Sequence, residues 1–392
     1  MSSFIRFSLY PLIFFPLLYV ALLSGGINGW IYFIGFVGTY VLLDFLFPNC
    51  SDDINQNFSS LYNTALVSHI PLSVVALILL FWQLYPQHEW LKAFASNIGY
   101  LIPFIDSITP VNTKLELFGL IVSCGFMFGH NTAVAHELMH RKERFFYEVS
   151  RFLFAMCGDA QVVISHIHSH HQNVATQYDS TSAVRKDTVY RHFFKAIIGQ
   201  YKDSWSFEKG RLSNYGFPLS VLKNQVVNGV LMTIAMLLVV FWTLGIQATF
   251  TWMVVMFLAK WLLESLNYVQ HYGLIRVPGE KIEPRHSWET SAYGSTIGLY
   301  NATSHGQHHV NGNLPFWKIK HTPSVPSHKY GYMVAISLAM LPKFWFIYVN
   351  PLLKKWDDEL ATAGELQLLK NRRLLHEEFK NFSSKKARKA IN

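Results

Sequence analysis

Six stretches of this chain carry apolar side chains almost without interruption, at residues 7–25, 27–47, 64–85, 115–135, 225–246 and 249–269. Each is close to the roughly 20 residues that a helix needs to cross about 30 Å of hydrocarbon, so the pattern predicts six transmembrane helices. Arg6 ahead of the first stretch resembles the start of a signal peptide, but a second apolar run follows almost at once, which favours a helical hairpin over a cleaved leader. A shorter apolar run at 331–350 contains Pro342 and Lys343 and reads as an interfacial or re-entrant segment. The polar sequence between these runs divides the chain into the first four spans (1–135), a polar segment (136–222), two further spans (223–271), a second polar segment with the interfacial helix (272–350) and a tail (351–392). The expected fold is an all-α integral membrane protein, about six spans carrying a helical cap.

Composition agrees: of 392 residues, 51% are hydrophobic, 16% aromatic and only 15% charged. A soluble domain carries roughly a quarter charged residues. Disordered, collagenous and disulfide-scaffold classes are excluded by the hydrophobicity, the absence of a glycine repeat and a count of three cysteines. Cys50, Cys124 and Cys157 are widely separated and read as reduced thiols. Positive charge orients the chain. Residues 141–222 hold eleven Lys or Arg against seven acids, the tail 352–392 holds ten against six, and 86–110 has Lys92 alone. By the positive-inside rule the long loop, both termini and the cap are cytoplasmic. The 48–63 loop, with Asp52 and Asp53, is silent on orientation, and the Lys385, Lys386, Arg388, Lys389 cluster reads as a solvated tail near anionic lipid.

The candidate chemistry lies in histidine. Nine of the 18 His fall in four short motifs, each at the cytoplasmic end of a span or in a cytoplasmic loop. His136-Glu137-Leu138-Met139-His140 ends the fourth span, and its i, i+4 imidazoles share one helix face, a spacing that suits two ligands to one metal. His166, His170 and His171 form the second motif; α-helical spacing pairs His166 with His170 and turns His171 aside, so the trio could serve two metals. His305, His308 and His309 share a face in the third, and His271 stands alone at the end of the sixth span. Nine imidazoles at one membrane face exceed what a single tetrahedral zinc takes and fit two metals of higher coordination. Ligand type alone leaves Fe, Zn, Cu and Ni open, although the absence of Cys from these motifs weakens copper.

Neutral imidazoles need the second ring nitrogen oriented, usually by a carboxylate. Glu137, Asp159, Asp179, Glu264 and Glu289 are the candidates, with Glu289 reading most like an ordinary loop charge. Glu264 lies inside an apolar span seven residues before His271, and intramembrane acids are costly enough to be functional. Of the other His, His69 reads as hydrogen-bonded within the bundle, His168 points off the motif face, and His88, His192, His321, His328 and His376 read as loop or surface residues. His130 and His286 flank motifs and remain possible supports.

These motifs resemble those of the membrane-bound, non-haem di-iron alkane 1-monooxygenases, within the wider fatty-acid desaturase and hydroxylase superfamily. HELMHR is similar to the family's HELxHK, SHIHSHHQNVATQYD to EHxxGHHxxVATxxD, and NYVQHYGL to NYxEHYGL. HSW at 286–288 and SHGQHHVNGN resemble its PSHSW and RHSDHHAN stretches, so the likeness runs from about residue 115 to 340. It implies that His136, His140, His166, His170, His171, His271, His305, His308 and His309 ligate two irons; Glu137, Asp179 and Glu264 are the outer-shell acids expected from the residues themselves. Ser165, Ser169, Gln270 and Gly306-Gln307 depart from the pattern and remove three acids around the site, which leaves substrate identity open.

The function implied is insertion of one oxygen atom from O2 into a terminal C–H bond of a hydrophobic molecule drawn from the bilayer, an n-alkane first and a methylarene, as in xylene monooxygenases, or a fatty acyl chain as alternatives. The chain has no ferredoxin, flavin or haem motif and its Cys cannot build an iron–sulfur site. A separate electron donor is expected, by resemblance rubredoxin or a ferredoxin-type reductase, on the basic cytoplasmic side of a bacterial inner membrane; no nucleic-acid partner is expected. An intramembrane zinc protease would explain HELMH and the spans but not the other motifs, and a transporter would not require four His clusters on one face.

Overall fold

The computed structural model describes residues 3–375 apart from 48, 51–53, 103, 104, 106, 217–220, 222, 323 and 324. Asp52, Asp53, His376 and the basic cluster at 385–389 lie outside the described residues. Helices α1 (Tyr10–Ser24), α2 (Asn28–Leu46), α3 (Gln56–Leu84), α4 (Lys114–Met139), α5 (Arg144–Met156), α6 (Val189–Asn214), α7 (Gln225–Leu244), α8 (Ile246–His271), α9 (His305–Val310), α10 (Gly331–Ala339) and α11 (Pro342–Glu359) carry the architecture. Among the described residues the only β pairing is an isolated bridge between Glu289 and Ser327.

Among the described residues five helices are long and apolar enough to cross a membrane: α2, α3, α4, α7 and α8. The expected first span differs. A short helix, Ser3–Phe7, precedes α1, and α1 opens with a π turn over Tyr10–Phe14. Pro11 and Pro16 explain the break, because neither can donate to the helical ladder and each ring crowds the carbonyl four residues earlier. The apolar run at 331–350 is likewise two helices, with Pro342 in the first turn of α11, where a missing N–H does no harm.

Helix α4 is the axis of the bundle, with 78% of its apolar window buried, whereas α7 at 11% lies on the periphery. Its start is fixed by a capping box: Glu116 N donates to Thr113 Oγ1 at 3.2 Å and Thr113 N to Glu116 Oε2 at 3.1 Å. Gly125 and Gly129 let α8 come close, since a Cβ at either would sit 2.5 Å from Leu258 or 2.6 Å from Leu262. This close pair brings His136, in the last turn of α4, and His140, just past its end, to the same level as His271 at the end of α8.

The polar segments fold over that end as a helical cap. Its core is aromatic, with Tyr268, Tyr272, Trp288, Tyr332, Trp345 and Trp356 all buried. A buried Arg185–Asp357 pair, 2.8 and 2.6 Å between Nη1–Oδ2 and Nη2–Oδ1, ties the loop before α6 to α11. Cys124 and Cys157 are buried and Cys50 half-buried, and among the described residues none forms a disulfide.

Candidate metal centre

The four motifs converge and then divide in a way their spacing does not suggest. His136, His140, His166 and His308 form one group, and His170, His271, His305 and His309 a second; within each group one ring nitrogen from every residue lies within 4.8 Å of the others. His136 and His140 stay together, as i, i+4 spacing predicts. The trio His305, His308, His309 is split, because α9 runs past both groups and presents His308 to one and His305 and His309 to the other.

The second motif departs from α-helical expectation. Residues His166–His170 form a π turn, with the His171 N–H bonded to His166 O. The wider turn moves His171 beside His166, their Nε2 atoms 3.0 Å apart, while His170 turns to the other group. His171 stands between the groups, its ring 4.7 Å from those of both His140 and His309. A single π turn thus assigns neighbouring imidazoles to different groups.

The nitrogens suit a cation. His271 and His309 each bring Nε2 to His305 Nε2, at 3.0 and 3.1 Å, and His136 Nε2 lies 3.1 Å from His166 Nε2. One proton can serve only one such contact, so converging lone pairs are best satisfied by a metal. The Nε2 atoms of His140, His170 and His308 are buried without a protein partner among the described residues. Burial, reinforced by neighbouring imidazoles, holds His166, His171, His305, His308 and His309 well below the ordinary histidine range, which keeps them neutral and able to ligate. The all-nitrogen donor set therefore fits two transition-metal ions.

The carboxylates have four different roles. Asp179 Oδ2 lies 2.8 Å from His170 Nδ1 and leaves Nε2 facing the group. Burial opposes its ionisation, but His170 and bonds from Ser182 and Thr181 hold its carboxyl below the ordinary range. Asp179→Asn is expected to lower metal affinity or activity by about 10–100-fold, read as metal content against free-metal concentration; an unchanged titration would show that Asp179 does not orient His170. Glu137, expected behind an imidazole, instead accepts from Arg141 Nη2 at 2.6 Å and from the Phe316 N–H at 3.1 Å. It fixes the loop that follows α9, and Arg141 also lies over the Trp317 ring at 4.4 Å. That position removes the general base a zinc protease would need.

Glu264 also differs from expectation. Its Oε1 meets Lys260 Nζ at 2.7 Å and Gln200 Nε2 at 2.9 Å, and Lys260 bonds Asp159 Oδ2 at 2.6 Å. This is an ionic cluster two turns of α8 before His271, tying α8 to α6 and to the loop after α5. Glu289, which reads as loop charge in sequence, is fully buried; it accepts from the Gly306 N–H at 3.1 Å and pairs with His321 at 3.0 Å. It holds the first turn of α9. Gly306 itself is required there, since a Cβ would sit 2.3 Å from Pro284 O, while Gln307 bonds Thr322 at 2.6 Å.

The remaining His separate as follows. His69 bonds Asn131 and Tyr300 inside the bundle, and His168 stacks on Phe207 away from the groups. His192 and His328 are buried rather than superficial, His328 being held by Tyr348 OH and Val269 O. His286 pairs with Glu365 and so supports the cap. His130 faces a cavity beneath the groups. Arg276 is a functional support that motif reading passes over: it donates to Gln172 O at 2.7 Å and Val174 O at 3.0 Å, fastening the His170–His171 segment to the loop after α8. Its place four residues after Tyr272 in HYGLIR was the available signal.

Residues 115–346 match the fatty acid desaturase family. An alkane 1-monooxygenase of Ectopseudomonas oleovorans is 29% identical over 258 residues, 62% of this chain and 62% of its own length. An alkane 1-monooxygenase 1 of Alcanivorax borkumensis is 27% identical over 256 residues, covering 62% and 61%. The xylene/toluene monooxygenase hydroxylase component XylM of Pseudomonas putida is 30% identical over 265 residues, covering 66% and 70%. The chain therefore spans a little under two thirds of the length of the alkane monooxygenases it matches.

Proposed function

This chain belongs to the fatty acid desaturase family, in the branch of the alkane monooxygenases, and on that premise we propose that it hydroxylates a terminal C–H bond of a hydrophobic molecule taken from the bilayer. The observation that carries the reading is the pair of abutting imidazole groups at the end of α4 and α8. His136, His140, His166, His171 and His308 would hold one iron, and His170, His271, His305 and His309 the other. When bound, the irons would supply the redox chemistry that divides O2 between the substrate and water. In sum, R–H, O2, two electrons and two protons give R–OH and water.

The chain's residues supply position and dryness. Asp179 and Glu289 hold His170 and α9 in place, so the ligand set is preorganised. A cavity walled by Tyr10, Phe36, Tyr40, Phe126, His130 and Tyr332 lies beside Ala133, one turn of α4 below His136. Its apolar walls would exclude water and aim one end of the substrate at the metals. Electrons would come from a separate acidic donor, a rubredoxin or ferredoxin-type protein with its reductase, docking on the basic cytoplasmic face of an inner-membrane protein. The aromatic cavity walls and the xylene monooxygenase relative favour a methylarene as a second reading of the substrate.

Purified protein should contain about two Fe per chain. Whole cells given n-alkanes, fatty acids, alkenes and methylarenes should yield hydroxylated products from one class. One Zn per chain, or desaturated products alone, would overturn the reading.

A further inference from the structure

The cavity beneath the imidazole groups is apolar except at one place. Tyr10 and His130 both line it and are 3% and 4% exposed, and their rings stack on each other. Tyr10 Oη and His130 Nε2 are both buried without a hydrogen-bond partner among the described residues. Two orphaned polar atoms at one spot are unusual, because buried polar groups are nearly always bonded. Ser295 and Thr132, which also line the cavity, do not share this state, nor does His69: Ser295 bonds Asp44, Thr132 bonds Gly129 O, and His69 bonds Asn131 and Tyr300.

The position is also informative. Tyr10 and Tyr40 belong both to this cavity and to a neighbouring groove whose rim includes the exposed Ile13 and Leu17, so they form the wall between the cavity and the lipid side. His130 lies six residues before His136 on α4, which at about 1.5 Å per residue puts it about 9 Å from the metal end. A phenol can donate and a neutral imidazole nitrogen can accept. A single alcohol group satisfies both, accepting from Tyr10 and donating to His130, whereas an alkane satisfies neither.

Resting on the oxygenase reading for the reaction but not for the binding, we propose that the cavity selects hydrophobic alcohols, with the hydroxyl held by Tyr10 and His130 and a carbon about 9 Å away presented for oxidation. The product is then a diol: HO–R–CH3 with O2, two electrons and two protons gives HO–R–CH2OH and water, the electrons coming from the same external donor.

Binding tests this without turnover. Detergent-solubilised protein as purified, without electron donor, is titrated with octan-1-ol and with n-octane, each expressed as mole fraction in the micelle, following tryptophan fluorescence and thermal stability. The alcohol should bind about tenfold more tightly. Tyr10→Phe should remove that preference and leave n-octane binding unchanged, with His130→Gln as an independent second variant. Equal affinities in the wild-type chain, or a preference that survives both variants, overturns the proposal. If the preference holds and neither compound is oxidised by iron-loaded protein with its donor, the oxygenase reading fails and the alcohol site stands.

Discussion

Replacing His271 by alanine is expected to remove one of the two proposed irons and to lower the proposed hydroxylation by more than about a hundredfold, beyond what loss of a supporting residue costs. His271 is fully buried and its Nε2 meets His305 Nε2 at 3.0 Å, within the group formed with His170 and His309. The alanine leaves that group short of a ligand, and bulk water cannot readily enter so buried a site to replace it. Metal analysis and product yield are the readouts. His168→Ala is the control, because that ring stacks on Phe207 outside both groups and its removal should cost neither iron nor activity. Iron content and activity both surviving His271→Ala would remove the residue from the ligand set.

Lys260→Met is expected to give the largest loss of stability, about 3–5 kcal/mol, because it strands two buried acids. Lys260 bridges Asp159 and Glu264 at 2.6 and 2.7 Å inside the bundle. Burial pushes Asp159 up to about 6 even with Lys260 beside it, so without the ammonium its carboxyl would take a proton. The measurement is thermal unfolding in detergent. A triple variant, Asp159→Leu, Lys260→Met and Glu264→Leu, should recover most of the loss, since replacing a whole buried ionic cluster by apolar groups is often neutral. Equal destabilisation of the single and triple variants would mean that packing, not charge, dominates at this site.

Much of the centre was legible in the sequence because ligands must be particular residue types at short, fixed separations. HELMH, the SHIHSHH run, HYGL and SHGQHH each set imidazoles within a few residues of one another or at the end of a span, and all nine converge. Asp179, a carboxylate near the second motif, lies against a nitrogen of His170, the natural kind of partner for an imidazole. Glu137 and Glu264 were placed by proximity along the chain, which does not fix direction: each turns to a basic residue, Arg141 or Lys260, that neutralises it more completely than an imidazole would. Glu289, His192 and His328 looked superficial because the cap that buries them is built from segments distant in sequence.

By itself the sequence determined the membrane-embedded helical class, the long apolar helices and the set of imidazoles, since hydropathy and residue type are local properties that survive any arrangement of the chain. It did not determine that the first span would break at Pro11 and Pro16, nor how the imidazoles divide. Those outcomes belong to the tertiary structure. The π turn at His166–His170 and the passage of α9 between two groups decide which nitrogens meet, and the close approach of α4 and α8 over Gly125 and Gly129 sets their common level. Each depends on packing between elements far apart in the chain, where a shift of one residue in a turn redirects a side chain by about 100°.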